Sequence, residues 1–256
     1  MPILHANVFG EGPDLVILHG FLGMSDNWKT LGKAYANEGF RVHLLDQRNH
    51  GKSFHSAGFS YELMAQDLKD YLDSQQINKA HILGHSMGGK TAMYFASTQA
   101  SSVQKLLIAD IGPKAYPAHH TEILNALLAL SQMELSSRSQ AEEALAERLS
   151  DAGVRQFLLK NLYWETPGKL GFRANIPVLA GKMEAIGEAL PFANSFKKPS
   201  LFLAGANSNY ILAEDHLDIL RQFPEAKIET IPRAGHWLHA ENPKDFFNRS
   251  LTFLKA

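Results

Sequence analysis

A serine enclosed by glycines, Gly84-His85-Ser86-Met87-Gly88, constrains this chain more than any other stretch. It follows a short apolar segment, Ala80–Leu83, that is typical of a strand, and it runs into a helix-forming stretch, Gly89–Ala96. Strand, G-x-S-x-G and helix together form the pattern of a nucleophile elbow, a turn so tight that only small residues fit around the serine. The pattern predicts that the hydroxyl of Ser86 is exposed at the carboxyl edge of a sheet.

Short β-rich runs alternate with helical patterns along most of the chain. Several runs are continuously apolar, as expected of parallel strands that are covered on both faces. The strand-like runs are Ile3–Phe9, Leu15–His19, Phe40–Asp46, Ala80–Leu83, Lys105–Asp110, Ser200–Ala204 and Lys227–Pro232. The helical patterns between them are Trp28–Glu38, Tyr61–Gln75, Gly89–Gln99, Leu212–Gln222 and Pro243–Leu254. This alternation predicts an α/β fold with a mostly parallel central sheet flanked by helices.

The alternation breaks between about Ala115 and Phe196. Helical runs occur there at Glu122–Gln132, Gln140–Asp151 and Val154–Leu162, and strand chemistry resumes only at Ser200. We therefore expect a core of residues 1–114 and 197–256, and a helical cap inserted at residues 115–196. The cap should lie over the carboxyl edge of the sheet, where such folds carry their sites and insertions.

Composition excludes several classes of function. The net charge of −1 over 256 residues gives no basic surface for nucleic acid or an anionic membrane. The absence of cysteine excludes disulfides, thiol catalysis and Cys-ligated zinc, and it fits a reducing compartment. No signal peptide is visible at the N-terminus, and no segment approaches about 18 consecutive apolar residues. We expect a cytoplasmic protein without a membrane span, either a monomer or a small homo-oligomer.

A serine nucleophile needs a base, because its hydroxyl barely ionises near neutral pH. His236 is the candidate, since it lies in a glycine-opened loop directly after the last predicted strand. This position brings it to the same sheet edge as Ser86, in the chain order that nucleophile-elbow hydrolases require.

An acid must orient the imidazole and stabilise its protonated form. The loop after the penultimate strand, Gly205–Asn209, contains no carboxylate. Asp110 closes the strand that follows the elbow helix, and from there it can reach the histidine. Glu214 and Asp215 are the alternatives, although their place in the first turn of a helix is explained by the helix dipole alone.

Two backbone N–H groups must face the oxyanion that develops during attack. One should belong to Met87, the residue after the nucleophile. The second should come from the loop after an early strand, and His19-Gly20-Phe21-Leu22-Gly23 follows Leu15–Leu18. We predict that the Phe21 N–H completes the oxyanion hole.

Four motifs in this order resemble the α/β-hydrolase superfamily along nearly the whole chain. They are His19-Gly20-Phe21, Asp46-Gln47-Arg48-Asn49-His50-Gly51-Lys52-Ser53, Gly84–Gly89 and Gly235-His236-Trp237. With Asn207-Ser208 after the penultimate strand, they are similar to the bacterial YbfF-type esterases. The resemblance implies that the acid is the aspartate after the strand following the nucleophile, which corresponds to Asp110.

Other residues receive less specific predictions. We expect Asp46 and Arg48 to form a buried ion pair under the site, and His85 to pack rather than react. The pairs His119-His120 and His236/His239 lack a third metal ligand at useful spacing, so no metal site is expected. Candidate substrate-binding residues are His19, Tyr116, Phe157, Tyr163, Trp164, Asn207, Tyr210 and Trp237.

The predicted activity is that of a serine hydrolase acting on a small-molecule carboxylic ester or acyl thioester, with no cofactor. Carbon–carbon hydrolases, lactonases and cofactor-free perhydrolases keep the same triad and stay open as alternatives. Haloalkane dehalogenases and epoxide hydrolases place Asp at the elbow, so Ser86 argues against both. A non-catalytic ligand receptor on the same fold is the alternative from another class.

Overall fold

The central element of the structure, a computed structural model, is a mostly parallel β-sheet. The structure describes residues 2–117, 121–191 and 195–256. Their strands are β1 Ala6–Phe9, β2 Asp14–Leu18, β3 Arg41–Leu45, β4 Ala80–His85, β5 Val103–Ala109, β6 Leu162–Thr166, β7 Lys169–Phe172, β8 Ser200–Gly205 and β9 Ala226–Ile231. Seven of them form one sheet in the order β1-β3-β2-β4-β5-β8-β9, in which only β1 is antiparallel to its neighbour. The predicted fold class is confirmed.

Helices connect the strands. In the described residues they are α1 Lys29–Asn37, α2 Tyr61–Ser74, α3 Met87–Thr98, α4 Thr121–Ser131, α5 Arg138–Ala146, α6 Ala152–Leu159, α7 Ile176–Ala180, α8 Met183–Gly187, α9 His216–Gln222, α10 Leu238–Glu241 and α11 Pro243–Lys255. Ser60 caps α2 by accepting a hydrogen bond from Leu63 N at 3.2 Å. Within this part of the chain, no helix is both long and apolar enough to cross a membrane.

The two faces of the sheet carry separate apolar clusters. Side chains alternate along a strand, so Leu15 and Ile17 of β2 join the cluster that packs against α1 and α11. Val16 and Leu18 join the larger cluster, which packs against α2 and α3. Every residue of β4 and of β8 is buried, because both strands lie between these layers. This double covering accounts for the continuous apolar runs in the sequence.

The segment between β5 and β8 contains a strand pair as well as helices. After α4, α5 and α6, the strands β6 and β7 form an antiparallel hairpin, which is followed by α7 and α8. This hairpin was not predicted, and the third predicted helical run continued to Leu162, which is the first residue of β6. Gly168, with a φ of +82°, closes the turn. The division into a core of residues 1–114 and 197–256 and a cap of residues 115–196 stays a prediction.

The carboxyl ends of four neighbouring strands meet at one edge of the sheet. Ser86 follows β4 and Asp110 follows β5, and the strand pairing places His85 opposite Ala109. His236 lies in the loop after β9, the neighbour of β8. The topology therefore brings a hydroxyl, a carboxylate and an imidazole to the same edge, although they are distant in the chain.

The predicted ion pair between Asp46 and Arg48 is wrong. The Nε and Nη2 atoms of Arg48 donate to the two carboxylate oxygens of Asp67 on α2, at 2.6 and 2.8 Å. Asp46 instead accepts hydrogen bonds from Ser25 N at 2.6 Å and Lys52 N at 2.8 Å. Asp46 therefore satisfies buried backbone of its own loop, while Arg48 ties that loop to α2.

We expect Arg48→Met to lower the free energy of unfolding by about 3–5 kcal/mol, because it leaves the carboxylate of Asp67 buried without its partner. Urea denaturation at pH 7.5 measures this change. The matched control is Arg249→Met, since Arg249 pairs with Glu229 at the surface, where both side chains are more than a third exposed. The control should lose less than about 1 kcal/mol. Equal losses in the two variants would contradict the prediction.

Candidate active site

Ser86 occupies a strained turn between β4 and α3. Its φ of 53° and ψ of −120° lie in a region that residues with a side chain rarely adopt. The turn is crowded, since a Cβ atom on Gly84 would lie 2.2 Å from the carbonyl oxygen of Gly88. A Cβ atom on Gly88 would lie 2.4 Å from the carbonyl oxygen of Leu18 on β2. The glycines of the motif are therefore needed for the turn to form.

Ser86, His236 and Asp110 form a continuous hydrogen-bonded chain. The Oγ of Ser86 lies 2.9 Å from Nε2 of His236, and Nδ1 of His236 lies 2.8 Å from Oδ2 of Asp110. A buried carboxylate accepts from Nδ1–H, which leaves Nε2 free of a proton and able to accept from the serine hydroxyl. The arrangement has the geometry of a nucleophile, a general base and the acid that orients the base.

Neighbouring rings hold the imidazole of His236. The ring of Tyr210 stacks on it with centroids 3.8 Å apart and planes 15° apart. Nε2–H of His85 donates to the carbonyl oxygen of His236 at 2.8 Å. His85 is buried and packs against the site, as the sequence predicts. These contacts restrain both the ring and the backbone of the proposed base.

Asp110 is fully buried and accepts from three donors. Besides His236, these are Gly205 N at 2.9 Å and the hydroxyl of Ser208. The alternative acid Asp215 is engaged elsewhere, because it accepts from Lys114 Nζ at 2.7 Å and Leu212 N at 2.8 Å. Asp110 therefore contacts His236, whereas Asp215 forms an ion pair with Lys114.

The loop after β2 lies against Ser86. A Cβ atom on Gly20 would lie 3.3 Å from Cβ of Ser86 and 2.7 Å from Nδ1 of His85, so only glycine allows this approach. Phe21, the next residue, lines both pockets that open at Ser86. Met87 begins α3, where the first N–H groups have no partner within the helix. This placement suits the predicted oxyanion hole, and the roles of Phe21 and Met87 stay predictions.

Buried neutral histidines brace this loop. His19 donates from Nδ1 to Gly20 O at 2.8 Å, and its Nε2 accepts from Gln47 N at 3.0 Å. His50 accepts from Leu22 N through Nε2 at 3.2 Å. Burial lowers the pKa of His19 below 6.5 and that of His50 to about 3. Each ring therefore keeps one donor and one acceptor nitrogen, which is what these hydrogen bonds require.

Two pockets meet at Ser86. We call the first the Trp237 pocket and the second the Lys90 pocket. Besides Ser86, the Trp237 pocket is lined by His19, Phe21, Phe157, Leu158, His236 and Trp237. The Lys90 pocket is lined by Phe21, Tyr61, Met87, Lys90, Tyr116 and Tyr210. Five of the eight predicted substrate-binding residues thus lie along these pockets.

The structure places the other three predicted substrate-binding residues outside both linings. Tyr163 lies on β6 with the guanidinium of Arg173 over its ring, 4.9 Å from the centroid. Its neighbour Trp164 points outward and is 51% exposed. Asn207 supports the site through its backbone, because its N–H donates to Ala234 O at 2.8 Å. No residue of β6 or β7 lines either pocket, which the apolar character of Tyr163 and Trp164 did not reveal.

No group of three His, Asp or Glu side chains in residues 2–117, 121–191 and 195–256 is arranged to hold a metal ion. His236 belongs to the chain of hydrogen bonds with Ser86. His239 stacks on Trp28 with centroids 4.2 Å apart. The pair His119-His120 lies outside the described residues.

Comparison with known proteins identifies the family. A sequence model described as the alpha/beta hydrolase fold matches residues 13–152. The chain belongs to the α/β-hydrolase family. It is 39% identical to the sn-1-specific diacylglycerol lipase ABHD11 of Mus musculus, over 94% of this chain and 81% of that protein. It is also 39% identical to esterase YbfF of Escherichia coli strain K12, over 90% of this chain and 88% of that protein.

A solved structure supports the family assignment over the whole chain. A marine microorganism esterase superposes on this chain with a TM-score of 0.94 and 38% identity, covering 99% of this chain and all of that one. The expected resemblance to YbfF-type esterases is confirmed.

Several residues of this α/β-hydrolase site were missed by the sequence analysis. Gln47 donates from Nε2 to His19 O at 2.7 Å and accepts from Thr91 at 2.9 Å, so it links the loop after β2 to α3. Ser208 donates to Asp110, and Lys90 lines a pocket. Gln47 and Ser208 stand inside motifs that carried the family resemblance, which was the available signal. Lys90 follows the elbow by one helical turn.

We expect the buried imidazole of His239 to make stability depend on pH. Burial lowers its pKa from 6.5 to about 3, so the unfolded chain binds the proton first as the pH falls. This contribution to stability is complete above about pH 6.5 and is lost progressively toward pH 3, amounting to about 2 kcal/mol at pH 5.

His239→Phe keeps a ring on Trp28 and removes this titration. Urea denaturation between pH 5 and 6.5 should show that the dependence of unfolding free energy on pH is shallower in the variant by about 1.4 kcal/mol per pH unit. Above pH 7.5 the unfolding free energies of the two proteins should depend on pH in the same way. Identical slopes below pH 6.5 would show that His239 is not the responsible group.

Proposed function

We propose that this chain hydrolyses carboxylic esters through a triad of Ser86, His236 and Asp110. The observation that carries the proposal is the continuous chain of hydrogen bonds, 2.9 Å from serine to histidine and 2.8 Å from histidine to aspartate. The esterase and lipase among its relatives support the same chemistry. The two pockets that open at Ser86 suit a small-molecule ester.

The first half of the reaction forms an acyl-enzyme. Ser86 Oγ bonds to the carbonyl carbon while Nε2 of His236 takes its proton, and the electron pair of the carbonyl moves onto oxygen. The N–H groups of Phe21 and Met87 face this oxyanion. When the carbonyl re-forms, the bond to the alcohol oxygen breaks, and His236 gives the proton to that oxygen.

The second half returns the enzyme to its starting state. Water bonds to the acyl carbon as Nε2 of His236 takes one of its protons, and a second oxyanion forms. Collapse of this intermediate breaks the bond to Ser86 Oγ, which recovers the proton from His236. Asp110 keeps Nδ1 of the ring protonated throughout. The sum is one ester and one water converted to an acid and an alcohol.

Thioester cleavage stays a narrower prediction with less support. A thioester of coenzyme A would bring phosphates to the rim of the pocket, and cationic side chains of the insert could meet them. Arg155, however, donates to Glu142 at 2.9 Å, and Lys169 pairs with Glu165 at the same distance. These cations are therefore already neutralised by acidic neighbours.

The alternatives on the same triad differ in the bond that is broken. Lactones and carbon–carbon bonds need the same nucleophile, so the hydrogen bonds do not separate them from esters. A ligand receptor on the same fold retains the triad but turns over slowly, so its measured turnover distinguishes it from an esterase. Location in the cytoplasm and a monomeric or small oligomeric state also stay predictions, which cell fractionation and light scattering would test.

Ser86→Ala should reduce hydrolysis of 4-nitrophenyl acetate and butyrate by at least about 10³-fold, because it removes the atom that bonds to the acyl carbon. Stopped assays on purified wild type and variant measure kcat/KM for each ester. Equal rates in the two proteins would exclude Ser86 as the nucleophile. Binding of the ester to wild type without turnover would favour a receptor.

Asp110→Asn should lower kcat by about 10³- to 10⁴-fold with a smaller change in KM, because the amide favours the wrong tautomer of His236. Asp215→Asn is the matched control, because Asp215 is also buried and is one of the two alternative candidates for the acid. The control should keep kcat within a few fold of wild type. A larger loss in Asp215→Asn than in Asp110→Asn would reassign the acid.

A further inference from the structure

The Lys90 pocket differs chemically from the Trp237 pocket. It contains Ser86 and both predicted oxyanion donors, and its lining includes Tyr61, Lys90 and Tyr116 beside the apolar side chains of Ile111, Met183 and Ile186. A cationic group inside a small pocket next to a nucleophile has no part in the triad. Its position suggests a role in choosing the substrate, provided that the proposed esterase function holds.

The triad geometry decides which half of an ester enters each pocket. The leaving alcohol must lie within hydrogen-bond reach of Nε2 of His236, because that atom protonates it. His236 lines the Trp237 pocket and not the Lys90 pocket. The alcohol therefore fits the Trp237 pocket, and the acyl group is left to extend from the oxyanion donors into the Lys90 pocket.

The tyrosine hydroxyls in the Lys90 pocket are already used by the protein. The hydroxyl of Tyr61 donates to Ile186 O at 2.6 Å, and that of Tyr116 donates to Tyr210 O at 2.7 Å. The oxygen of Tyr116 also accepts from Gly112 N at 2.8 Å. These hydroxyl protons are not available to a substrate.

The ammonium group of Lys90 has donor capacity left. It carries three N–H groups, and among the described residues it donates to the carbonyl oxygens of Gly187, at 3.3 Å, and Glu188. The rings of Tyr116 and Tyr61 lie 4.9 and 5.6 Å from Nζ, which compensates the charge in part. Lys90 is only 1% exposed, so water gives it little solvation. An acceptor brought by the substrate would use the remaining N–H.

We propose that the Lys90 pocket binds the acyl group of the substrate, and that Lys90 selects acyl chains bearing an oxygen acceptor at their far end. An alkyl chain of the same shape would cover the ammonium without giving it a hydrogen bond, which is costly for a buried charge. A carbonyl, hydroxyl or carboxylate oxygen would instead accept from it. Lys90 is thus a specificity-determining residue for the acyl half.

A pair of esters with equal acyl shape tests this selection. The 4-nitrophenyl esters of 4-oxopentanoic and 4-methylpentanoic acid differ in one position, where a carbonyl oxygen replaces a methyl group. Each kcat/KM is divided by the rate of spontaneous hydroxide hydrolysis, which removes differences in intrinsic reactivity. Wild type should prefer the 4-oxo ester by about tenfold, the effect of one hydrogen bond from a charged donor. A ratio of one or below in wild type would overturn the proposal.

Two variants separate selection from mere support of the fold. Lys90→Met keeps the length of the side chain and removes the donors, so the ratio should fall to about one. If Lys90 only holds the carbonyls of Gly187 and Glu188, both esters lose activity equally and the ratio persists, which overturns the proposal. Phe157→Ala, in the Trp237 pocket, is the matched control. It should change the preference between phenyl and 1-naphthyl acetate and leave the acyl ratio as in wild type.

The experiment distinguishes this proposal from the esterase function on which it rests. Ser86→Ala is assayed with the same pair of esters. If that variant retains activity, the proposed triad fails. If it is inactive while wild type shows no preference for the 4-oxo ester, the triad stands and the selection by Lys90 fails. Should Lys90→Met not fold, the wild-type ratio still decides the question.

Discussion

The tight turn at Ser86 fixes the position of nearly every other group in the site. Its backbone conformation requires the close approach of Gly84 to Gly88, and of Gly88 to the end of β2. Because α3 must start immediately after the serine, its first N–H groups point toward the same edge as the serine hydroxyl. Lys90 follows one helical turn later and lines the second pocket. One strained turn thus positions the proposed nucleophile, a predicted oxyanion donor and a residue that lines a pocket.

Buried histidines are the second constraint on the site. They act through hydrogen bonds to backbone groups rather than by carrying a charge. His19 and His50 hold the loop after β2, and His85 holds the carbonyl of His236. Each lies where burial lowers its pKa, so each stays neutral and offers one donor and one acceptor. A charged side chain in these places would lack solvation. Because these rings are neutral in the folded chain, we expect their protonation in acid to destabilise the site.

Sequence reasoning succeeded where local pattern and chain order determine structure. The seven strands of the sheet followed from apolar runs, and the placement of Asp110 beside His236 followed from the order of strands at one edge. It failed where partners are chosen by three-dimensional proximity. Arg48 pairs with Asp67 across a loop rather than with Asp46 two residues away. The hairpin in the insert escaped notice because its strands are short and half exposed.

The predicted core and the predicted insert contribute to the candidate site in different ways. Ser86, His236, Asp110 and the loop after β2 all follow strands of one sheet, which belongs to the predicted core. Ile186 and Gly187 line the Lys90 pocket. The segment Ile186–Glu188 is held by three donors, which are the Tyr61 hydroxyl, the Lys90 ammonium and the Tyr116 N–H. Lys90 therefore both holds this segment in place and lines the pocket. Two N–H groups of Lys90 serve the protein and the third is left for the proposed substrate, so a change in this lysine should alter which acyl groups are accepted even where Ser86, His236 and Asp110 are untouched.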